Sequence, residues 1–175
     1  LSTSYLADRY AVSFSDLSTM TGALDGLSQK IADNQKRDMK DPDIEQHQGI
    51  ITNKSNKTFE EAVKAIKQQI ENADSINIMA ELDHQKNAVS VDMELRPTHV
   101  IMFGNPQVGI PLMQENRSVA VELPMKILIF QDENGDVKVA YNDMQFLFDR
   151  YKTNLKENYG VKINEVIKKI ASSAI

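Results

Sequence analysis

The chain has 175 residues, no cysteine and a formal net charge of −5. This length suits one domain with extensions, or at most two very small domains. Without cysteine there are no disulfides, thiolate zinc sites or cysteine nucleophiles. The negative charge argues against a nucleic-acid partner, and no apolar run approaches the ~18 residues of a membrane span.

The first residue is Leu1 rather than methionine, and a polar segment follows it. The sequence itself contains no basic region followed by an apolar stretch, which would mark a signal peptide. This start favours an exported or periplasmic protein, after removal of a signal, over a cytoplasmic one.

Residues 1–45 are predicted to form a helical N-terminal extension. They carry 5 basic and 8 acidic residues, a net charge of −3. Apolar residues recur within them at spacings of three and four, as on one face of a helix: Leu17, Met20, Leu24, Leu27 and Ile31. We favour docking of this helix on its own chain, with pairing to a second copy or a partner as the alternative.

Residues 46–151 are predicted to form the core domain. Residues 50–53 give a short first strand, and a helix begins at Thr58, which forms a capping box with Glu61. Strands follow near 76–82, 99–103, 126–131 and 137–141, the last two joined by an Asn134-Gly135 turn. A helix at about 144–151 completes a β-α-β-β-β-β-α order. The short connections indicate an α+β fold, an antiparallel sheet with helices on one face.

Residues 152–175 are predicted to form a C-terminal amphipathic helix packed on the core. They carry 5 lysines and 2 glutamates, a net charge of +3. A short basic amphipathic helix can also bind an anionic membrane surface, so that alternative stays open.

A series of ordered motifs between Gly49 and Tyr151 resembles one known family. The motifs are Thr58-Phe59-Glu60-Glu61, Asp83-His84 with Asn87-Ala88, Glu94-Leu95-Arg96-Pro97-Thr98, Phe103-Gly104-Asn105-Pro106, Gly109 with Pro111-Leu112-Met113, Leu123-Pro124 with Lys126, Asp132 with Gly135, and Tyr141-Asn142. They are similar to those of the prokaryotic "domain of unknown function 302" family. The resemblance implies a fold like that of the TATA-binding protein, of β-α-β₄-α order, and it implies no settled activity.

This sequence departs from the family pattern at two places. Residues 1–45 lie outside the resemblance, and Ile110 stands where many members have threonine. The second departure puts in doubt any role for a hydroxyl group at that turn.

Two groups of polar residues precede the predicted strand at 99–103 and are candidate ligand contacts. His84, with Asn87 after it, could donate to a ligand or simply fix its loop by a backbone hydrogen bond. Arg96 could clamp a carboxylate or phosphate, or pair with a nearby acidic side chain of its own chain. Thr98 could contact a ligand or pair with a neighbouring turn.

Three further candidates follow the predicted strand at 99–103. Asn105 lies in a Gly- and Pro-rich stretch, residues 104–113, that we predict to be a rigid loop of two tight turns. Met113 would provide an apolar wall. Lys126 interrupts an apolar strand, where an inward-facing ammonium needs a partner or a ligand carboxylate.

No metal, cofactor or catalytic constellation is predicted. The three histidines have no metal-site spacing, and the eight methionines are scattered, which favours core packing over soft-metal binding.

We therefore favour a non-enzymatic module that binds a small anionic or amphipathic ligand in a cleft of the sheet. The second hypothesis is a homodimeric structural protein that associates through a sheet edge or the N-terminal helix. The third is an enzyme that uses His84 as acid or base and Arg96 as anion clamp.

Overall fold

A computed structural model describes residues 49–153 and 159–175, together with the single positions 22 and 25. The chain divides into two compact units, Leu1–Met39 and Lys40–Ile175. In the first unit Gly22 and Asp25 are helical. The predicted apolar stripe from Leu17 to Ile31 lies outside the described residues.

The second unit is built on one antiparallel five-stranded sheet of order β1-β5-β4-β3-β2. Its strands are β1 (Ile50–Lys54), β2 (Asn77–Asp83), β3 (Thr98–Gly104), β4 (Met125–Gln131) and β5 (Val137–Asn142). The prediction of an α+β fold with an antiparallel sheet is confirmed. Strands β1 and β2 form the two edges of the sheet.

In the described part of this unit, five α-helices accompany the sheet: α1 (Phe59–Glu71), α2 (His84–Val89), α3 (Pro106–Glu115), α4 (Met144–Tyr151) and α5 (Tyr159–Ala171). Short 3₁₀ segments cover Arg117–Val121 and Ser172–Ala174. The sequence did not predict α2 and α3. No helix in the described ranges is long and apolar enough to cross a membrane.

The core lies between one face of the sheet and the helices. Ile101, Ile127 and Tyr141 are paired in register across β3, β4 and β5, so their side chains share this face. Helix α1 covers the sheet with Ile66 and Ile70, both fully buried. Residues from α3, α4 and α5 belong to the same apolar cluster, so the helices pack on one face.

The N-terminus of α1 has the predicted capping box. The Thr58 hydroxyl accepts a hydrogen bond from the Glu61 N–H at 3.3 Å, and the Glu61 carboxylate accepts one from the Thr58 N–H at 3.0 Å. These bonds satisfy two backbone donors that a helix start otherwise leaves unpaired. The hydrogen bond from the Thr58 N–H, followed by one from the Thr58 hydroxyl at 3.0 Å, lowers the pKa of the Glu61 carboxyl.

The prediction of a turn-rich loop at residues 104–113 is wrong, because Pro106 to Glu115 is helical. The Asn105 side chain caps the helix by accepting a hydrogen bond from the Gln107 N–H at 2.8 Å. Pro106 occupies the first helical position, where a missing N–H costs nothing and a fixed φ helps. Pro111 lies inside the helix. The prolines and glycine that suggested turns therefore start a helix and are tolerated within it.

The last helix completes the core of the second unit. Ile163, Ile167 and Ile170 of α5 are nearly completely buried and belong to the core cluster. The chain beyond it is also held, since the buried Ser55 hydroxyl donates a hydrogen bond to the Ala174 carbonyl.

Candidate functional site

A cavity of about 280 Å³ lies at one end of the sheet. The end of β3 and helix α3 form one side, and the segment from the Arg117–Val121 3₁₀ turn into β4 forms another. Met144 of α4 and Ile163 of α5 complete the wall. This volume approaches the lower end of the range for small-molecule sites.

The cavity wall is almost entirely apolar. Four methionines line it: Met79, Met113, Met125 and Met144. The other lining residues are Gly104, Asn105, Pro106, Val108, Gly109, Ile110, Leu112, Ala120, Leu123, Pro124 and Ile163. The methionines looked scattered in sequence, yet half of the eight in the chain meet here. Their unbranched thioethers can adjust to ligands of different shape.

Asn105 provides the only polar side chain among the lining residues, and its two oxygen atoms already accept hydrogen bonds. Its Oδ1 accepts the hydrogen bond from Gln107, and its carbonyl accepts from the N–H groups of Val108 and Gly109, each at 3.0 Å. At the start of α3 the backbone N–H groups of Gln107, Val108 and Gly109 are therefore already bonded. The wall suits the apolar part of a ligand.

Lys126 lies beside this cavity on β4, next to Met125. Its ammonium donates hydrogen bonds to the carbonyls of Glu122 and Pro124, each at 3.0 Å. The ammonium has three N–H donors, so one remains after these two bonds. Pro124 belongs to the cavity wall, and the charge of Lys126 therefore stands close to the wall.

The remaining predicted site residues lie at the other end of the sheet. Thr98 begins β3 and donates a hydrogen bond to the Arg96 carbonyl at 2.9 Å, whereas Asn105 follows the end of β3. Six residue steps along that strand, at about 3.3 Å each, separate the two ends by roughly 20 Å. The seven predicted residues therefore do not converge on one site.

His84 and Asn87 both lie on the short helix α2 at that far end. Asp83 caps this helix by accepting a hydrogen bond from the Lys86 N–H at 2.9 Å, which lowers the pKa of Asp83. Asn87 is exposed, and its carbonyl accepts from the Ser90 hydroxyl at 2.6 Å. Within the described part of the chain no hydrogen bond or ion pair joins His84 to Arg96.

A polar cluster that the sequence did not reveal lies at the same end, on the core side of the sheet. Glu81 of β2 accepts from Lys67 of α1 through Oε1 at 2.7 Å, and its Oε2 lies 3.0 Å from His99 Nε2 on β3. The hydrogen bond from Lys67, with a smaller contribution from His99, lowers the pKa of Glu81. Period-2 alternation placed Glu81 on a strand, but only the strand register brings His99 beside it.

The hydrogen bond to Glu81 fixes the tautomer of the neutral His99 ring. An ionised carboxylate has no proton to donate, so Nε2 carries the hydrogen and Nδ1 keeps its lone pair when the ring is neutral. The side chain is 14% exposed and borders a shallow groove that Phe59 and Val63 of α1 also line. Within the residues described, no group of three or more His, Cys, Asp or Glu side chains could hold a metal ion.

Comparison with known families gives a match over most of the chain. The model of a family described as "Domain of unknown function DUF302" matches residues 51–173. The match extends beyond Tyr151 and includes helix α5, so the family model covers more of the chain than the motifs between Gly49 and Tyr151.

Curated relatives share 30% identity with this chain over 114 residues. Two of them are the "Fluoride-specific ion channel FluC 1" of Brucella suis biovar 1 (strain 1330) and the protein of the same name from Brucella abortus biovar 1 (strain 9-941). The aligned region is 65% of this chain but only 44% and 42% of those proteins. The chain thus spans less than half the length of these relatives.

A solved structure has the same fold. It is the crystal structure of an uncharacterized conserved DUF302 protein from Bacillus stearothermophilus, and it covers 74% of this chain and 100% of its own, with a TM-score of 0.65. The sequence identity is 15%, so this similarity concerns the fold alone.

Proposed function

Because the chain belongs to the DUF302 family, whose description assigns no activity, we propose a function from its cavity: a non-enzymatic module that binds a small amphipathic molecule. The single observation that carries this proposal is a cavity of about 280 Å³ whose lining includes one polar side chain and four methionines. An apolar cavity with few polar groups is the usual form of a small-molecule site.

Burial of an apolar group would provide the binding energy. The hydrophobic effect favours transfer of apolar surface from water into such a cavity at roughly 25 cal/mol per Å². The methionine wall would let the cavity adapt to the shape of the ligand.

The polar end of the ligand would lie near Lys126. Two of its three N–H donors bind the Glu122 and Pro124 carbonyls, and a carboxylate or sulfonate could accept the third. We therefore infer an amphipathic ligand with an acidic head group, which the apolar wall alone would not select.

The anionic dye 1-anilinonaphthalene-8-sulfonate has this combination of an aromatic body and an acidic head, and its fluorescence rises in apolar sites. The test compares its affinity for the wild-type chain and for Gly109→Leu. A Cβ at Gly109 would meet only Leu123 Cδ1, at 3.6 Å, so leucine should fill the cavity while suiting the helix better than glycine.

The matched control is Gln107→Leu, which adds the same side chain to an exposed position of the same helix that does not line the cavity. We expect Gly109→Leu to weaken dye binding at least tenfold and Gln107→Leu to leave it unchanged. Equal affinity in all three proteins, each folded by circular dichroism, would reject the cavity as the site.

The head-group assignment is tested separately with Lys126→Met. This variant should weaken binding of the sulfonate dye but not of its uncharged parent, N-phenyl-1-naphthylamine. Lys64→Met, at an exposed position of α1, is the control. If Lys126→Met binds both dyes like the wild type, the acidic head group is not held there.

Self-association is the second candidate function. Strand β2 lies at a sheet edge and exposes Met79 and Leu82, and an open edge can pair with another strand. The irregular pairing between Ile78 and Ala80 opposes this, because bulges disrupt edge pairing.

Light scattering of the full chain, of Leu82→Lys and of a chain without residues 1–45 tests both proposed interfaces. A monomer mass for the full chain rejects them.

A further inference from the structure

Met79 differs from the other methionines in the described ranges. It is the only one among them whose side chain is exposed, at 52%, whereas Met144 on the same cavity is 3% exposed. Met79 also lines the cavity. The Met79 side chain thus contacts both the cavity and bulk water.

The irregularity in β2 explains this position. Pairing with β3 is regular at Ile78 and again from Ala80, and the residue between them has no partner. Such an extra residue re-aims its side chain. A Cβ built on Gly104 would lie 3.4 Å from the Met79 Cε and 4.0 Å from its Sδ. The thioether therefore lies against the end of β3, where the strand leads into α3.

We propose that Met79 is a site of reversible oxidation, and that its oxidation weakens ligand binding in the cavity. A peroxide is the oxidant: an S–O bond forms as the O–O bond breaks, sulfur loses two electrons, and the peroxide is reduced to water. A dithiol reductant returns the sulfoxide to the thioether. The sulfoxide oxygen leaves as water with the two thiol hydrogens, and the dithiol becomes a disulfide, which is the chemistry of sulfoxide reductases.

Exposure decides which methionine sulfur of the cavity reacts first. Attack by peroxide requires access to the sulfur, and Met144 offers almost none. Met113 and Met125, on the same wall, are only partly exposed. Met79 should therefore be oxidised first among the methionines of the cavity.

The effect on binding rests on the proposed function of the cavity. A sulfoxide is polar, and a polar group in an apolar wall costs free energy unless it is hydrogen-bonded. The oxidised side chain would turn towards water and leave Gly104 uncovered. Loss of about one or two methylene-sized contacts corresponds to roughly four- to fifteenfold weaker binding.

The experiment treats the full chain with dilute hydrogen peroxide and maps oxidation by peptide mass spectrometry. The affinity for 1-anilinonaphthalene-8-sulfonate is measured before and after treatment. Met79→Leu keeps an apolar side chain that peroxide cannot oxidise, and Met79→Gln imitates the polar product.

We expect Met79 to gain oxygen before Met113, Met125 and Met144. The wild-type affinity should fall roughly four- to fifteenfold and recover with methionine sulfoxide reductase. The affinity of Met79→Leu after peroxide should equal its own affinity before treatment, whatever that value is relative to wild type. Met79→Gln should bind weakly even without peroxide. Faster oxidation of another cavity methionine, or an unchanged affinity after selective oxidation of Met79, would overturn the inference. Failure of the untreated chain to bind the dye would reject the cavity function, while the peptide map would still decide whether Met79 is the oxidised residue.

Discussion

Glu81 on the edge strand and His99 on its neighbour are hydrogen-bonded, with 3.0 Å between Glu81 Oε2 and His99 Nε2. Lys67 binds the other oxygen of the same carboxylate at 2.7 Å. This carboxylate therefore joins helix α1, the edge strand β2 and the neighbouring strand β3. Loss of its charge should loosen this edge of the sheet, where β3 is the strand that pairs with β2.

Replacing Glu81 by glutamine should flatten the acid side of the stability profile. The folded-state pKa of Glu81 is lowered from its ordinary value of 4.5. A lowered folded pKa means that the stabilisation is complete above the unfolded value and is lost as pH falls through the folded one. The range from about pH 5 to pH 3 begins just above the ordinary pKa of a glutamate and extends below it. Over this range the urea midpoint of Glu81→Gln should therefore fall less than that of the wild type.

Glu133→Gln is the control for this measurement, because Glu133 is an exposed turn residue. It should reproduce the wild-type profile. If Glu81→Gln loses stability in acid as steeply as wild type does, the carboxylate does not contribute through its ionisation.

Gly49→Ala should destabilise the fold strongly. Gly49 has φ +83° and a Cβ there would overlap the Phe146 ring. Gly135 has the same φ, but its nearest neighbour to a Cβ is Gln131 Nε2 at 3.8 Å. Gly135→Ala should therefore cost about 1–2 kcal/mol for the backbone conformation alone. Gly49→Ala should cost more than that, by roughly another 1–3 kcal/mol for the clash.

Chemical denaturation of both glycine variants gives the comparison directly. Equal losses of unfolding free energy would show that the ring of Phe146 moves aside without cost.

The sequence predicted the strands well because their signals are local. Period-2 alternation located β2, and the Asn134-Gly135 turn located the hairpin of β4 and β5. The capping box at Thr58 located α1. Helix α3 was missed because Gly109 and Pro111 both disfavour helices, and the packing of Leu112 into the core overrides that preference.

Pro111→Ala tests how far this preference was overridden. Alanine would restore the N–H that a helix donates to the carbonyl four residues earlier, and a proline inside a helix costs about 3 kcal/mol. The more flexible unfolded chain offsets about 0.4–1 kcal/mol of that gain. We expect Pro111→Ala to raise the free energy of unfolding by roughly 2–2.6 kcal/mol in urea titrations. A loss of stability would mean that the proline ring itself packs favourably.

The candidate site was harder to predict because it depends on tertiary contacts. Asn105 and Met113 were identified next to the cavity, but the wall also takes Met79, Met125 and Met144 from three other elements. Nothing local in the sequence relates these positions. In the same way, neither Glu81 nor His99 carries a pattern that shows they meet, since the strand register decides it.

Helix α5 should be as important for stability as the strands, and one glycine tests its contact with α4. A Cβ on Gly160 would lie 2.6 Å from Phe148 Cδ2 and 2.9 Å from Gln145 Oε1. The Phe148 ring stacks on Tyr159 with centroids 6.2 Å apart, so it cannot move without losing that contact. Alanine gains about 0.8–1 kcal/mol in helix propensity over glycine, while overpacking costs typically 1–3 kcal/mol.

Gly160→Ala should therefore be destabilising, and the same substitution at Gly109 should have the opposite sign. Gly109 is also helical, but a Cβ there meets only Leu123 Cδ1, at an ordinary 3.6 Å, so the propensity gain remains. Thermal unfolding of the two variants beside wild type measures both effects in one series. Stabilisation by Gly160→Ala would show that α4 and α5 separate at little cost, and that the C-terminal helix contributes less to the domain than its buried isoleucines indicate.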